Sequence, residues 1–370
     1  MKINLKRDPQ SLELIKLAGS KNREVSKQAM EILAGFITPI IQTVIYKASV
    51  ADGIYTKLTY DQDTSPSIPL DLYIDKKVDF VRVWSQSIAG GLPSNLIQGL
   101  TEMKISTYEL NSAVSFLKRY ARLGQLDHVG QAIKWMAQEI LVKREINAFT
   151  PILAALAGAT TNGLSHIINS TTAGVLQIDD FNRLWTRARK INAASIDGGT
   201  PVAGGAKGIT DLFLSPEMME QVRAFAYQPM NTRIGVQTVI GTPANAYGGA
   251  TAVPLPDSVR EEIYRNAGAS EIFGLTLHDI NELSPEGPYG VIFDQYYGGT
   301  FTAGTSNLVI GLDLGRTSLI EAVETDENGN ELVVLADDQW VSRSEKIGWY
   351  ANRNQGHVVL DDRVAVGLIV

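Results

Sequence analysis

The sequence predicts an α+β fold, in which helical and β-rich stretches occupy different parts of the chain. Residues 11–35 and 107–157 carry apolar side chains at helical intervals. Val50–Gln86 and the chain from Leu308 onward consist instead of short β-prone runs separated by polar turns. The chain between residue 157 and Leu308 combines patterns of helix, strand and Gly-rich loop. These observations predict a protein with more than one structural region.

The composition is that of a globular protein and excludes several classes. Of 370 residues, 44% are hydrophobic and 20% are charged, which is typical of neither a disordered nor a membrane-embedded chain. The length exceeds the size at which one core stops growing, so two domains are expected. The absence of cysteine excludes disulfides and thiolate chemistry. A net charge of −7 argues against a general nucleic-acid binder.

No segment is expected to cross a membrane. The apolar stretches Ile32–Ile45 and Pro151–Ala159 are interrupted by polar residues or are too short. The first residues contain no continuous apolar segment and no small-residue cleavage site, which predicts that no secretory signal is present.

The N-terminal helix, residues 11–35, is predicted to form an arm rather than a domain, with Gly19 and Asn22 weakening its middle. Lys and Arg outnumber Asp and Glu up to residue 30. This excess fits either a solvated helix face or an arm that binds a partner.

The stretch Val50–Gln86 is predicted to be an extended, hairpin-like excursion with little core of its own. Such a hairpin is marginal in water unless it lies against something else. Its aromatic residues are therefore the candidate contacts between subunits: Tyr55, Tyr60, Tyr73, Phe80 and Trp84. We expect Trp84 to be the main anchor.

The strongest helical pattern covers residues 107–157 and ends in an apolar stripe that includes Val142, Phe149 and Leu156. Pro151 lies inside this pattern. Because proline removes a backbone donor and clashes with the preceding turn, we expect a kink or a break there.

Three local predictions follow in the second half of the chain. Ile209–Leu214 is predicted to be a strand that feeds a helix, with Ser215 as the N-cap and Pro216 at the first helical position. Asn328-Gly329 predicts a hairpin with a type I′ turn. Residues 228–258 are predicted to form a long surface loop.

The final seven residues are all apolar or Gly, which is unusual for a chain end. Alternation places Val364, Val366, Leu368 and Val370 on one face of a strand. The other face holds Ala365, Gly367 and Ile369. We expect a docked strand with one face on a core and the other fitted against a close neighbour.

Motifs that carry chemistry are weak. "GLDLGRT", residues 311–317, resembles the first phosphate-binding turn of the actin and sugar-kinase ATPases, but that turn opens its domain and here lies near the chain end. The Gly-rich stretch at residues 197–208 lacks the spacing of a phosphate-binding loop. The four histidines are far apart, and no nucleophile motif is present. The sequence therefore predicts no enzyme and no cofactor or metal.

The order of features, together with "ITDLFLSPEMMEQVRAF" and the ending from Leu332, resembles the major capsid proteins of tailed bacteriophages, the Hong Kong 97-type fold. The resemblance implies an N-terminal arm at residues 1–50 and an E-loop at 51–100. It implies a peripheral domain, containing a long spine helix, at 101–171 and 301–370. An axial domain would occupy residues 172–300, and the final strand would belong to either domain.

That resemblance implies a shell protein that assembles with itself into hexamers and pentamers of an icosahedral virus head around double-stranded DNA. The DNA would be enclosed without specific binding, in a virion assembled in the host cytoplasm. Separate scaffolding, portal and decoration proteins are candidate partners, and a membrane is not. Three alternatives stay open: an encapsulin-like compartment, another self-assembling phage structural protein, and an ATPase based on "GLDLGRT".

Overall fold

The computed structural model describes residues 9–61, 63–69, 102–124, 126–161, 163–193, 208–227, 271–315, 317–326, 329–337 and 346–370. The chain divides into two compact units. The first comprises Met1–Ile68, Met103–Ala148 and Ile320–Val358, and the second comprises Pro69–Glu102, Phe149–Leu319 and Val359–Val370. Residues 51–68 group with the N-terminal helices, and residues 149–171 and 301–319 group with the predicted axial domain. The end of the chain also groups with that domain, which is one of the two options expected for the final strand. The predicted loop at 228–258 lies outside the described residues.

The helices of the first unit are α1 (Pro9–Ala18), α2 (Arg23–Ala48), α3 (Ala51–Ile54), α4 (Lys118–Arg122) and the first part of α5 (Leu126–Gly158). The break between α1 and α2 falls in the predicted weak region, and the Asn22 side chain caps α2 by accepting from Glu24 N at 3.2 Å. The two helices are not a free arm. Met30, Ile37 and Ile41 of α2 are buried in one core with Met136 and Ile140 of α5.

Helix α2 corrects the prediction that no segment could span a bilayer. Over 26 residues it is long and apolar enough to do so by length and composition alone. The core helix of a soluble protein passes the same test. Eight of its residues, including Met30 and Ile45, are buried within the first unit.

The sheet of the first unit has the order β1-β12-β14-β13, with β4 also paired to β14. Its strands are β1 (Thr56–Tyr60), β4 (Tyr108–Leu117), β12 (Leu319–Glu324), β13 (Val333–Asp337) and β14 (Lys346–Val359). The prediction of helix over residues 107–117 is wrong. β4 pairs antiparallel with β14 from Tyr108↔Gln355 to Leu117↔Lys346. Alternate side chains along β4 face the core, which is the burial pattern of a strand and not of a helix.

The first part of the predicted excursion is not a hairpin. β1 pairs parallel with β12, from Thr56↔Ile320 to Tyr60↔Glu324, so residues 56–60 belong to the main sheet. Beyond it, β2 (Ser67–Pro69) pairs with β3 (Glu102–Lys104) in a separate two-stranded ladder. The prediction of an excursion therefore applies only to the chain after β1, of which residues 70–101 lie outside the described residues.

The second unit is built on a six-stranded sheet of order β7-β15-β11-β8-β10-β9. The strands are β7 (Ile167–Asn169), β8 (Asp211–Leu214), β9 (Glu271–Ile272), β10 (Leu275–Asp279), β11 (Leu308–Leu312) and β15 (Ala365–Ile369). β5 (Thr160–Thr161) and β6 (Leu164–Ser165) form a small hairpin. The helices are α6 (Ile178–Ala193), α7 (Pro216–Tyr227) and α8 (Pro288–Tyr296), and short 3₁₀ helices span Asn281–Leu283 and Asp362–Val364.

Helices cover both faces of this sheet. Phe181 of α6 and Val222 of α7 share a core with Leu212 and Leu368. On the other face, the ring of Phe149 in α5 lies 6.3 Å from that of Phe213 and 4.5 Å from that of Tyr289 in α8, between centroids. A sheet covered in this way has continuously apolar strands, as in β11 and β15.

Helix α5 runs unbroken for 33 residues and includes Pro151, so the break expected there as one of two options does not occur, and the kink stays a prediction. Val142 is also not part of a buried stripe, because 53% of it is exposed. Phe149, Leu153 and Leu156 are buried as predicted.

The strand-to-helix signal is confirmed at β8 and α7, where Ser215 Oγ accepts from Met218 N at 3.3 Å. A tight turn also occurs near the predicted hairpin, with Gly329 N donating to Asp326 O at 2.7 Å and Gly329 at φ 73°. The predicted hairpin is nevertheless wrong, because β12 and β13 flank this turn and each pairs with β14, which lies between them. Asn328 of the predicted turn lies outside the described residues.

Candidate functional site

The predicted contact residues of the excursion differ in where the structure places them and in how exposed they are. Tyr55 is buried, and its hydroxyl donates to the Ala148 carbonyl of α5 at 2.7 Å. Tyr55 therefore cannot serve as an exposed contact, because the neighbouring helix of its own unit already covers it. Tyr60 is half-buried in β1. Tyr73, Phe80 and Trp84 lie outside the described residues.

The C-terminal residues are an internal part of the second unit. β15 pairs antiparallel with β11 and parallel with β7. Val366, Leu368 and Val370 are buried in the core beneath α6 and α7, and Val364 is buried in the preceding 3₁₀ helix. On the other face, a Cβ added to Gly367 would lie 3.0 Å from Leu156 Cδ2 of α5.

The "GLDLGRT" motif has a structural explanation in the second unit. A Cβ on Gly311 would lie 3.1 Å from Ile209, so glycine is needed there for close packing. Asp313 is buried, and its Oδ1 accepts from Gly315 N at 3.2 Å. The carboxylate thus closes the turn that follows β11.

The described histidines are also held by protein groups. His166 is buried between Thr161 Oγ1 at 2.8 Å and the Ala365 carbonyl at 3.0 Å. Burial lowers the pKa of His166 and favours its neutral form. Within the part of the chain that the structure describes, no three His, Cys, Asp or Glu residues are grouped so as to hold a metal ion.

The most distinctive polar feature, which the sequence analysis missed, is a buried ionic network in the first unit. Arg144 of α5 is its centre. Its Nη2 lies 2.7 Å from Asp52 Oδ1 and 2.9 Å from Glu321 Oε2. Arg353 Nη2 of β14 lies 3.1 Å from both Glu321 Oε1 and Glu331 Oε2. The network joins α3, α5, β12 and β14.

The β14 strand explains how charged groups reach this interior position. Successive alternate residues of a strand share one face. On the core-facing row of β14, Ile347, Trp349 and Ala351 are apolar, and the row continues as Arg353, Gln355 and His357. The core of the first unit therefore changes from apolar to ionic along a single strand.

The charged groups of the network shift one another's pKa values. Burial alone would raise the pKa of the Glu321 carboxyl, but His357, Arg144 and Arg353 outweigh burial and lower it to about 2. His357 Nε2 lies 3.5 Å from Glu321 Oε1, which is long for a hydrogen bond. We therefore assign the lowering mainly to the two guanidinium groups. Glu321 is ionised at neutral pH.

The network fixes the chain where it enters β1. Ser49 Oγ donates to Glu145 Oε1 at 2.5 Å, and Ala51 N donates to Glu145 Oε2 at 3.2 Å. Lys57 Nζ of β1 lies 3.1 Å from Asp52 Oδ1 and 3.4 Å from Glu331 Oε1. Together with the Tyr55 hydrogen bond, these contacts anchor residues 49–57 to α5 and to the sheet. We call this segment the excursion root.

A weak sequence signal of this network exists. Glu321 is the single charged residue within the apolar run of β12, residues 319–323. A charged residue in a buried run needs a partner of opposite charge, but the sequence does not show which Arg supplies it.

Comparison with known proteins gives no sequence relative. No family model and no curated protein matches the chain. Solved structures of low identity are similar in part. They include the capsid of a native GTA particle, at 15% identity and TM-score 0.48 over 86% of this chain and 88% of that one. Microbacterium phage Oxtober96 gives 11% identity and TM-score 0.48 over 87% and 90%. An encapsulin complex from Synechococcus elongatus gives 12% identity and TM-score 0.42 over 73% and 75%.

Proposed function

We propose that this chain is a shell-forming major capsid protein of the Hong Kong 97 type, which assembles with copies of itself into hexamers and pentamers of an icosahedral head. The observation that carries the proposal is the order of elements along the chain. N-terminal helices precede β1, the separate β2–β3 ladder follows, and the chain rejoins the sheet of β1 at β4. A helix of 33 residues follows, then a second unit, and the chain returns to the first unit for β12, β13 and β14.

The proposed role is structural rather than catalytic. The buried polar groups described above bind one another or the backbone: Asp313 closes a turn, His166 bonds to β15, and Arg144 and Glu321 neutralise each other. Such groups are engaged in holding the fold. We propose further that the shell encloses double-stranded DNA in the virion, with separate scaffolding, portal and decoration proteins as partners.

Electron microscopy of the purified full-length protein tests this proposal. We expect closed polyhedral shells, or hexamers and pentamers that close into shells when a scaffolding protein is supplied. Tubes would favour another phage structural protein, and a protein that stays monomeric under both conditions would overturn the assignment.

Two further measurements address the alternatives. Nuclease-protected DNA inside particles from the native source supports a virus head, whereas protein cargo without DNA supports an encapsulin-like compartment. ATP turnover that is lost in Asp313→Asn would support the ATPase alternative and contradict a purely structural role.

A further inference from the structure

A surface groove of about 690 Å³ lies in the second unit between the edge strand β7 and helix α6. One wall is formed by Ile167–Asn169 and the two residues that follow. The other wall carries Asp179, Arg183 and Arg187. β7 is the last strand of the sheet on this side, because its described partner is β15 alone.

The backbone of β7 presents two hydrogen-bonding groups to the groove. Gly367 N donates to His166 O, and Ser170 N donates to Ile369 O. In a parallel ladder this register turns the N–H and C=O groups of Ile167 and Asn169 away from β15. Ile167 N donates to Ser165 Oγ, and Asn169 O accepts from Arg183 Nη1. Among the described residues, Ile167 O and Asn169 N are left without a partner.

The two arginines of the groove differ in how they are held. Arg183 Nη1 is fixed by Thr171 Oγ1 at 2.9 Å and by the buried carboxylate of Asp180 at 3.2 Å. Arg187 is half-buried and forms no hydrogen bond or ion pair with any described residue. An arginine held beside a groove with an unused guanidinium fork is suited to bind a carboxylate.

We propose that this groove binds an extended peptide segment of another protein chain, which adds a strand to β7 and places carboxylates on Arg183 and Arg187. Strand addition uses the unpaired backbone groups of an edge for affinity and side-chain contacts for specificity. Residues four apart in a helix rise by about 6 Å, and residues two apart in a strand are separated by about 6.8 Å. Carboxylates at alternate positions of the segment therefore match the two arginines.

An extended peptide fits the groove better than duplex DNA does. The unpaired C=O and N–H of β7 are the complement of a peptide backbone, whereas a phosphate backbone offers no donor to Ile167 O. This inference concerns the isolated subunit and stands apart from the proposed shell function.

The test uses two labelled peptides and the purified full chain. One has the sequence Thr-Glu-Val-Glu-Val-Thr with blocked ends, and the other carries Gln in place of both Glu residues. Fluorescence anisotropy should show saturable binding of the Glu peptide and at least about tenfold weaker binding of the Gln peptide, because a charge-assisted contact to Arg is lost at each position. Equal binding of both peptides, or binding of neither, would overturn the proposal.

Variants locate the binding. Arg187→Glu should weaken binding of the Glu peptide by at least about tenfold. Arg189→Glu is the matched control, since it makes the same charge change on the same helix at a residue that is not part of the groove wall and lies over the Trp185 ring. If both variants weaken binding equally, the effect is general electrostatics and the proposal fails.

A backbone variant tests strand addition itself. Asn169→Pro removes the N–H that faces the groove without removing a bond to β15, and proline is tolerated on edge strands. Asn169→Ala keeps the N–H and serves as its control. Binding should be lost in Asn169→Pro and kept in Asn169→Ala, with similar melting temperatures. Two results together would show a simple anion site instead. Duplex DNA or inorganic phosphate would compete with the Glu peptide on the wild type but not on Arg187→Glu, and Asn169→Pro would bind the Glu peptide as well as the wild type does.

Discussion

At Arg144, one guanidinium group forms ion pairs with two carboxylates, Asp52 of α3 and Glu321 of β12. Arg144 and Glu321 are fully buried. Replacing a whole buried ion pair by apolar residues is often neutral for stability, but removing one partner leaves an uncompensated charge. The contribution of the network is therefore tested by changing one member at a time.

We expect Arg144→Met to lower the free energy of unfolding by about 3–5 kcal/mol, because Glu321 and Asp52 lose their main counter-charge in a buried site. Urea denaturation followed by circular dichroism measures this. Lys143→Met is the matched control, since Lys143 is exposed on the same helix, and it should change stability by less than about 0.5 kcal/mol. Equal effects of the two variants would show that the network contributes little.

The pH dependence of stability follows from the lowered pKa of Glu321. A carboxyl whose folded-state pKa is depressed stabilises the fold above its unfolded pKa, and this stabilisation is lost as pH falls towards the folded value. With an ordinary value of 4.5 and a folded value of about 2, the loss falls between those two pH values and amounts to about 3 kcal/mol. The pKa of Asp52 is also lowered, since Arg144 and Lys57 outweigh its burial, and it acts in the same direction.

This expectation is checked by comparing the wild type with Glu321→Gln in urea at pH 6 and pH 3. Glu321→Gln should be less stable than the wild type at pH 6, because its arginines lose a charged partner. Between pH 6 and pH 3 its free energy of unfolding should fall by less than that of the wild type. Parallel pH curves for the two proteins would mean that Glu321 does not contribute to acid sensitivity.

At the scale of elements, the predicted helix over residues 107–157 is confirmed from Leu126 onward and is wrong over residues 108–117, where a helical and a strand pattern compete. In β4, Leu110, Val114 and Leu117 lie at helical spacing, but Leu110, Val114 and Phe116 also belong to a row at strand spacing. The antiparallel ladder with β14 decided in favour of the strand. That pairing partner is more than two hundred residues away and leaves no local signal.

Pro151 shows how a tertiary contact can support a helix that local rules would break. Proline at 151 cannot donate to the carbonyl of Asn147, four residues earlier. In the same turn, the Tyr55 hydroxyl donates to the Ala148 carbonyl. Phe149 and Leu153 on either side of Pro151 are buried, so this turn packs against the core. The outcome depended on packing that the local sequence does not encode.

For β15 we expect a severe effect of truncation. Val364, Val366, Leu368 and Val370 are buried, and burying four such side chains contributes roughly 6–12 kcal/mol gross. Truncation after Leu360 also leaves β11 and β7 without the strand that pairs with both. The truncated protein should aggregate, as measured by soluble yield and light scattering.

Deletion of residues 1–10 is the control for this truncation. It removes only the first two residues of α1 and leaves the buried Ile15 and Ala18. The deleted protein should keep its solubility and melting temperature. If the truncated chain is equally soluble and melts at the same temperature, β15 is dispensable for folding.

For the whole molecule, the sequence predicted the α+β class, whereas the two compact units are not divided as the expected domains were. Both units are assembled from distant parts of the chain: the first takes residues from three separate stretches. β1, for example, pairs parallel with β12, which lies far along the chain. Local patterns identify single elements, whereas the grouping of elements depends on pairings across the whole sequence.

The last prediction concerns the excursion, now restricted by the structure. Because β1 and the excursion root are part of the first unit, a deletion that starts at residue 54 would damage the fold. β2 and β3 pair with each other, so their ends are close enough for a short Gly-Ser linker to replace residues 70–101.

This deletion of residues 70–101 removes Tyr73, Phe80 and Trp84. We expect a soluble subunit with nearly unchanged circular dichroism and melting temperature that forms no closed shells in electron microscopy. Trp84→Ala in the full chain should reduce the yield of shells without changing the melting temperature. Shells of normal size from the deleted protein would show that assembly does not depend on this segment, and the contact surface would then have to lie on the two compact units themselves.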